Sequence, residues 1–534
     1  MPKLTINGRE AEVGAGTTIM MAAEQVGIII PRYCFHKDLS VAGNCRICLV
    51  QVEGMPKLVT SCSTVVSDGM VVRTDTPEVK KAVTAVLEFL LLNHPIDCPI
   101  CDQAGECWLQ DYYMQIGLHP SRMPLSRKVH KRKAVKLGAM IAMDKERCIL
   151  CSRCIRFCKE VTGTNELAFF NRGNKTEIGT FNDQPIENPY SGNLADVCPV
   201  GALTSADFRF ARGVWLLRGI PSVCTACSTA CNIRVDLRGR TVYRFVPRRN
   251  PEVNKSWMCD RGRLSYKVLN RSDRVTDPMI RKSGRLERTT WGEAIKHAVG
   301  LLRPVTKKSS GKSAACIATA GATNEELYLF KKLIERLGSP TVDFRINGAV
   351  DPAAREDDLL RRKDKSPNTT GAMELGLLPA DGGVALRAVL KQAQDGGIKV
   401  FYLLGPGVAE TAEFGEMARE ALAKAETVIL HTPWKCQEMK HASVVFPSAT
   451  FIEKEGTFTN YQRRVQKITK ALDPPGQARD ELSVLLAVLK ELGNKVRAGD
   501  AAGVMDLIAT DVRSFKGMKL SEIPPGGALL GREV

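Results

Sequence analysis

The chain has 534 residues, a formal charge of +18 from 76 Lys+Arg against 58 Asp+Glu, and 18 cysteines. At 44% hydrophobic and 25% charged, the composition excludes a disordered chain, and the length is that of three or four domains. No apolar run reaches the ~18 residues of a membrane-spanning helix; the best candidate, residues 82–92, is broken by Glu88.

The opening Met1-Pro2-Lys3-Leu4 carries no charged-then-apolar export signal. The expected compartment is thus a reducing cytoplasm, where cysteines serve metal or redox chemistry more often than disulfides. Sixteen of them lie before residue 260 and fall into four sets. Close cysteines on one loop suit a compact cluster because their sulfurs can reach neighbouring metal corners, and a distant ligand closes the cage.

Residues 3–13 are predicted as a hairpin: Leu4 and Ile6 alternate with Thr5, and Asn7-Gly8 supplies the turn. Thr17 or Thr18 caps a short helix carrying Ile19, Ala22, Ala23 and Val26 on one side. The first set, Cys34-x10-Cys45-x2-Cys48-x13-Cys62, follows, with strand-like runs at 49–52 and 70–72. A hairpin, a helix, a cysteine-rich loop and further strands resemble the plant-type [2Fe–2S] ferredoxin (β-grasp) fold. The wide first gap departs from the plant C-x4-C-x2-C spacing and points to another branch of that fold.

Residues 78–92 read as an amphipathic helix ending before Asn93-His94-Pro95. The second set, His94-x3-Cys98-x2-Cys101-x5-Cys107, has three cysteines, one short of a cage. A neutral imidazole can fill that corner. The plainer reading is that His94 only satisfies its turn; the missing cysteine favours ligation. As an iron ligand, its second nitrogen is expected to donate a hydrogen bond that fixes the tautomer.

From Asp144, the run Lys145-Glu146-Arg147-Cys148-Ile149-Leu150-Cys151-Ser152-Arg153-Cys154, continuing to Cys158, resembles one half of a bacterial two-cluster ferredoxin. In that family the fourth cysteine of each run ligates the other cluster. Here the second run keeps only Cys198-Pro199. Cys198 is therefore expected to close the cage of Cys148, Cys151 and Cys154, leaving Cys158 over; the alternative exchanges Cys158 and Cys198. The fourth set is Cys224-x2-Cys227-x3-Cys231-x27-Cys259. Zinc sites of four cysteines usually use two pairs astride a short loop. Three cysteines on one loop plus one from afar is the habit of iron–sulfur ligation, which is favoured over zinc.

The later half changes character. Thr290 precedes Ala294, Ile295, Ala298, Val299, Leu301 and Leu302 at helical spacing, up to Pro304. Thr323 and Glu326 form a capping box before Leu327, Phe330, Ile334 and Leu337, and Gly338 is the stop. Apolar runs at 400–404 and 428–430 alternate with helical patterns at 410–425 and 479–492, the pattern of an α/β domain with a mostly parallel sheet. Pro474-Pro475-Gly476 and Pro524-Pro525-Gly526-Gly527 mark loops. Cys316, in a buried strand, and Cys436, near a helix start, are assigned structural roles. The last forty or so residues read as a tail that packs on something else.

Two motifs are highly specific: Asn93-His94-Pro95-Ile96-Asp97-Cys98-Pro99-Ile100-Cys101-Asp102-Gln103-Ala104-Gly105-Glu106-Cys107, and Ser191-Gly192-Asn193-Leu194 leading into Cys198-Pro199-Val200-Gly201-Ala202-Leu203. Their order and spacing make residues 1 to about 260 similar to the large iron–sulfur subunit of bacterial NADH-quinone oxidoreductase, respiratory complex I. Trp291-Gly292-Glu293-Ala294 and Glu453-Lys454-Glu455-Gly456-Thr457-Phe458-Thr459-Asn460 through Gln466 are similar to the molybdopterin oxidoreductase fold, which extends the resemblance to about residue 495.

That resemblance implies a multidomain chain, α+β followed by α/β: a [2Fe–2S] ferredoxin domain over 1–78, a one-His/three-Cys [4Fe–4S] segment over 79–137, and a degenerate two-cluster-ferredoxin-like domain over 138–215. A [4Fe–4S] domain of molybdopterin-oxidoreductase type over 216–272, an α/β scaffold without molybdenum over 273–495, and a tail over 496–534 complete it. It implies one [2Fe–2S] cluster on Cys34, Cys45, Cys48 and Cys62. Three [4Fe–4S] clusters are implied on His94/Cys98/Cys101/Cys107, Cys148/Cys151/Cys154/Cys198 and Cys224/Cys227/Cys231/Cys259. Electrons then come from a flavin-bearing NADH-oxidising subunit to the first cluster, next to the Cys148 cluster, then to the His94 cluster, and on to a smaller ferredoxin-like subunit. The Cys224 cluster lies off that route in relatives. The implied place is peripheral, on the cytoplasmic side of the bacterial inner membrane, and proton translocation belongs to the whole complex. Fifteen thiolates and four oxidised cores lower the +18 of the sequence to about +11.

Other signals are weaker. Gly311-Lys312-Ser313 hints at a phosphate loop, but Thr306 stands where its first glycine belongs. Gly405-Pro406-Gly407 lacks the third glycine of a dinucleotide fingerprint. No NADH, flavin, zinc or molybdenum site and no catalytic residue is expected in this chain. The basic series Arg122, Arg127, Lys128, Lys131, Arg132, Lys133 and Lys136 lacks interleaved aromatic residues. A solvated or subunit-facing linker is favoured over a nucleic-acid site. The catalytic subunit of an iron hydrogenase or formate dehydrogenase is the competing enzyme reading. The missing second C-x2-C-x2-C and the short molybdenum region argue against it.

Overall fold

Asn7 and Gly8, both at positive φ (49° and 80°), close the first hairpin, β1 (Lys3–Ile6) against β2 (Arg9–Glu12). The computed structural model describes residues 1–117, 120–307, 313–339, 341–343, 356–377, 385–411 and 413–531, in two compact units, Met1–Leu217 and Arg218–Val534.

In the first unit, α1 (Ile19–Gln25) starts at Thr18, whose hydroxyl accepts the Met21 amide, and buries Ile19, Met20, Ala22 and Ala23. With β3 (Leu49–Val52), β4 (Val59–Thr60) and β5 (Met70–Arg73), the sheet runs β2-β1-β5-β3-β4. The β1–β5 pair is parallel and its neighbours antiparallel. A mixed sheet whose inner face (Leu4, Ile6, Val50, Val72) packs on one helix is the expected β-grasp. Next, α2 (Pro77–Leu91) is capped by Thr76 with proline in its first turn, and buries Val79, Val83 and Leu87 at four-residue spacing. After α3 (Trp108–Ile116), β6 (Val135–Lys136), β7 (Ile141–Met143) and β10 (Leu203–Ser205) form an antiparallel sheet. Between the last two come α4 (Arg153–Glu160), the hairpin β8 (Ala168–Phe170) with β9 (Glu177–Gly179), and α5 (Asn193–Val197).

In the basic series Arg122, Arg127, Arg132, Lys133 and Lys136 are exposed, as a solvated linker requires, yet much of the series is paired. Arg122 pairs with Glu88, and Arg132 with Asp183. Lys128 donates to the Leu91 and His94 carbonyls, and Lys131 to that of Thr176. Lys133 sits among Asp97, Asp144 and Glu146. Its acidic partners are remote in sequence, which is why the run looks unbalanced.

The second unit opens with the antiparallel sheet β11 (Arg218–Val223), β12 (Asn232–Arg238) and β13 (Thr241–Pro247), then the short α6 (Asp260–Leu264). A seven-stranded sheet follows, in the order β15-β14-β20-β19-β18-β16-β17. Its strands are β14 (Met279–Lys282), β15 (Arg285–Arg288), β16 (Ala314–Ala318), β17 (Thr341–Asp343), β18 (Val400–Leu404), β19 (Thr427–Thr432) and β20 (Val444–Pro447). From β17 to β20 all pairs are parallel. The strands β16, β18, β19 and β20 are buried along their whole length, as helices on both faces demand. Those helices are α7 (Trp291–Lys307), α8 (Asn324–Leu337), α9 (Thr369–Glu374), α10 (Ala385–Gln394), α11 (Gly415–Lys424) and α12 (Glu481–Glu491).

The Thr323/Glu326 capping box and the left-handed Gly338 stop are both present. Cys316 is fully buried in β16, and Cys436 precedes a single turn at Gln437–Lys440. Pro304 does not end its helix, which continues to Lys307; so near the end, a proline costs only the last turn's bonding. The tail is likewise corrected. α13 (Ala501–Asp511) and the residues after it bury Val504, Met505, Ile508, Phe515 and Met518 in the main core of this same unit. Near its end, β23 (Ala528–Leu529) joins β21 (Gly456–Thr459) and β22 (Arg464–Ile468). Gly311 and Lys312 of the discounted phosphate-loop signal lie outside the described residues.

Candidate metal centres

The first cysteine set belongs to the β-grasp. Cys48 precedes β3 and Cys62 follows β4, so the strand pairing brings them together, and the Ser61 hydroxyl and amide both bind the Cys48 carbonyl. Arg46 at φ 60° turns the backbone between Cys45 and Cys48. The Cys34 amide donates to Cys45 Sγ at 3.5 Å. Within the set, a hydrogen bond with the Cys45 thiol lowers Cys34, and one with the Cys62 thiol lowers Cys48.

The second set surrounds one pocket. His94, Cys98, Cys101 and Cys107 line it with Leu91, Leu109, Tyr113 and Gly201, around about 410 Å³ of empty space including its mouth. His94 follows the end of α2, and Cys107 stands at the N-cap of α3. Burial, with Lys128, Arg147 and Lys133 nearby, lowers the imidazole to about 4 against the pull of Asp97. It is neutral at ordinary pH, as a metal ligand must be. Its Nδ1 accepts the Ile96 amide at 3.1 Å. Ile96, at φ 52°, folds its N–H back onto the ring, so the neutral imidazole carries its one proton on Nε2; ligation through Nε2 would require that proton on Nδ1 instead.

In the third set, Cys148, Cys151, Cys154 and Cys198 line a second pocket with Met143, Ile178, Val200 and Leu203, about 310 Å³ by the same measure. Leu150 and Ser152, both at positive φ, turn the loop between the first three cysteines, and Cys154 lies in the first turn of α4. Cys158, one turn further along α4, does not line the pocket. It is fully buried elsewhere, beside the Leu167 amide and Glu166, and burial pushes its thiol up to about 12.

In the second unit, the β11–β12 register pairs Val223 with Asn232, so Cys224 and Cys231 open and close the intervening loop, the Cys224 amide donating to the Cys231 carbonyl at 2.8 Å. Cys259 caps α6, its Sγ accepting the Gly262 amide at 3.3 Å. A Cβ on Gly262 would lie 3.1 Å from Cys224 Sγ and 3.4 Å from Cys259 Sγ, which places both sulfurs over that glycine. Cys227 and Cys231 are also buried.

Burial pushes the Cys107 thiol up to about 11 and those of Cys148 and Cys198 up to about 12. A thiolate among Leu, Met and Val side chains needs a positive partner within the pocket. The donor set therefore fits a group that brings its own positive charge, as an iron–sulfur core does. Among the described residues no three His, Cys, Asp or Glu side chains gather as they would around one metal ion. Cluster ligands bind different irons and need not converge on one point.

Charged residues beside the candidate ligands were missed by sequence reasoning. Arg147 and Asp97, each immediately before a candidate ligand cysteine, form a two-pronged pair. Arg153 and Arg156 of α4 reach the carbonyls of Phe35 and Cys34 in the first set, and Arg153 Nη1 that of Val197 at 3.2 Å. For Asp97, Arg147 and Arg153 the available signal was their position next to a cysteine.

Comparison with known proteins follows the same order along the chain. Residues 2–77 match a 2Fe-2S iron-sulfur cluster binding domain, and 84–122 an NADH-ubiquinone oxidoreductase-G iron-sulfur binding region. Residues 138–204 match the ferredoxin-like domain of NADH-quinone oxidoreductase subunit 3, and 217–267 an NDSU1/NuoG-like 4Fe-4S domain of NADH-ubiquinone oxidoreductase. Residues 274–360 and 364–491 match molybdopterin oxidoreductase. The chain is 41% identical over 341 residues to an NADH-quinone oxidoreductase subunit of Rickettsia conorii, covering 64% of this chain and 50% of that one. It is 31% identical to the mitochondrial NADH-ubiquinone oxidoreductase 78 kDa subunit of Candida albicans, covering 94% of this chain and 84% of that one. The chain spans about half the length of the Rickettsia relatives it matches.

Proposed function

The chain belongs to the NuoG-type family of NADH-quinone oxidoreductase subunits, and from that premise we propose that it is an electron-relay subunit of NADH:quinone oxidoreductase. It passes electrons from a flavin-bearing NADH-oxidising subunit toward quinone by way of a ferredoxin-like iron–sulfur subunit, and carries no substrate site of its own. The observation that most supports this reading is the enclosure of the second and third ligand sets by two separate apolar pockets, each lined by four candidate ligands.

In this reading a [2Fe–2S] cluster is held by Cys34, Cys45, Cys48 and Cys62. Three [4Fe–4S] clusters are held by His94/Cys98/Cys101/Cys107, by Cys148/Cys151/Cys154/Cys198 and by Cys224/Cys227/Cys231/Cys259. Bound there, the clusters supply one-electron carriers whose potentials the protein tunes by ligand type, burial and hydrogen bonding. The chain's own residues exclude water, hold the sulfurs apart and place Arg147, Arg153 and Arg156 against the ligand loops. The 273–495 segment acts as a scaffold without molybdenum. No described helix is long and apolar enough to cross a membrane; a peripheral position on the cytoplasmic face of the inner membrane is part of the proposal.

The test is iron and acid-labile sulfide counting on the purified chain, with electron paramagnetic resonance of its reduced form. About 14 irons per chain are expected. Zinc in their place, clearly fewer irons, or stoichiometric molybdenum would overturn the reading.

A further inference from the structure

Gly201 lies on the loop that carries Cys198, yet it lines the pocket of the other set, against Cys101. Its φ is not in the left-handed region, so its backbone suits any residue. What excludes a side chain is space: a Cβ would overlap Cys101 Sγ, and would lie 3.2 Å from Gln103 Cβ and 3.5 Å from Arg147 Cδ. The same loop is tied to the second set by the backbone, the Trp108 amide donating to the Pro199 carbonyl at 3.2 Å. Between Cys198 and Cys101 there are thus only the bonds from 198 to 201 and one van der Waals contact.

We propose that Gly201 is a positioning residue for the relay: by lacking a side chain it seats Cys101 directly against the Cys198 loop, holding the two [4Fe–4S] sites in contact. This rests on the relay reading. A methyl group at 201 would force Cys101 into another rotamer, away from its pocket, while leaving Cys198 and its three partners undisturbed.

The test is a cycle in the full chain: Gly201→Ala, Cys101→Ala and the double variant, each read by iron content, reduced-state electron paramagnetic resonance and thermal midpoint. Gly201→Ala alone should lose or shift the signal of the His94 set, with iron falling from about 14 to as low as about 10 per chain. The signal and midpoint potential of the Cys148 set should stay unchanged. In the Cys101→Ala background, adding Gly201→Ala should change neither iron content nor thermal midpoint. Retention of both signals at wild-type potentials in Gly201→Ala would overturn the proposal. So would an equal loss of thermal stability in both backgrounds, or failure of both Gly201 variants to fold, since either makes Gly201 a residue of the fold alone. A wild-type chain without four clusters would fail the relay reading instead, and the thermal cycle would still judge whether Gly201 acts through Cys101.

Discussion

Arg147 and Asp97, fifty positions apart, meet as fork and carboxylate: Nε to Oδ1 at 2.9 Å and Nη2 to Oδ2 at 2.6 Å. Each stands immediately before a candidate ligand, so the pair ties the start of one cysteine loop to the start of another. Arg147 also lies 3.5 Å from Asp144, and Lys133 joins the same acidic group. The Arg147 side chain is only 5% exposed and that of Asp144 4%, so removing the cation strands a buried carboxylate. Arg147→Ala should cost roughly 2–4 kcal/mol, toward the lower end because Lys133 offsets part of the loss. Arg147→Lys should recover only part, since an ammonium cannot fork. Urea unfolding of the full chain, followed through the first unit, measures this; a midpoint equal to wild type in Arg147→Ala would show the pair idle.

Cys158 and Cys198 are distinguished by place. Cys198 shares a pocket with Cys148, Cys151 and Cys154, whereas Cys158 is buried on α4 and does not line it. Cys158→Ala should leave about 14 irons per chain, and Cys198→Ala about 10. The opposite pattern would exchange their roles.

The parts of the fold readable from sequence are those set by neighbours along the chain. The Asn7-Gly8 hairpin, the Thr18 cap and the Thr323/Glu326 box each depend on residues within a few positions of one another, and all three form. Two of the cysteine sets could be read as gathered around one pocket each because most of their members lie on one short loop. What could not be read depends on remote partners. The basic series looked unbalanced because its partners Glu88, Asp97, Glu146 and Asp183 are far from it in sequence. The residues after 496 looked like a tail because the core that receives Val504 and Ile508 is assembled from distant helices and strands. Gly201 carries no local sign that its missing Cβ makes room for Cys101.

His94 provides a charge-based prediction. Burial keeps its ring neutral, so a cluster held by it and three thiolates carries one negative charge fewer than a four-cysteine cluster. His94→Cys restores that charge, disfavours the added electron, and should lower the midpoint potential of that cluster by on the order of 100 mV. The Ile96 amide, which now donates to Nδ1, would be left to bind the new sulfur or water. Redox titration followed by electron paramagnetic resonance reads the shift. A midpoint that stays put or rises would count against His94 as a ligand.

Glu325 makes the stability of the second unit depend on pH. It is fully buried at the start of α8, and its two carboxylate oxygens accept the Thr457 amide and hydroxyl, each at 2.9 Å. Burial outweighs these bonds and raises the carboxyl from 4.5 to about 7. The nearby cation Lys454 is already held by Glu326 and Glu481 at 2.7–2.8 Å. Between about pH 4.5 and 7, therefore, folded Glu325 keeps a proton that the unfolded chain has released. The folded state binds more protons, so stability must fall as pH rises through that window. Glu325→Gln mimics the protonated acid. It should match wild type at about pH 4.5 and exceed it at pH near 7.5 by roughly 1–3 kcal/mol, the worth of one to two pKa units. Calorimetry of the full chain at the two pH values measures the difference. A gap between variant and wild type that does not change with pH would mean that Glu325 carries the same charge in both folded and unfolded chains.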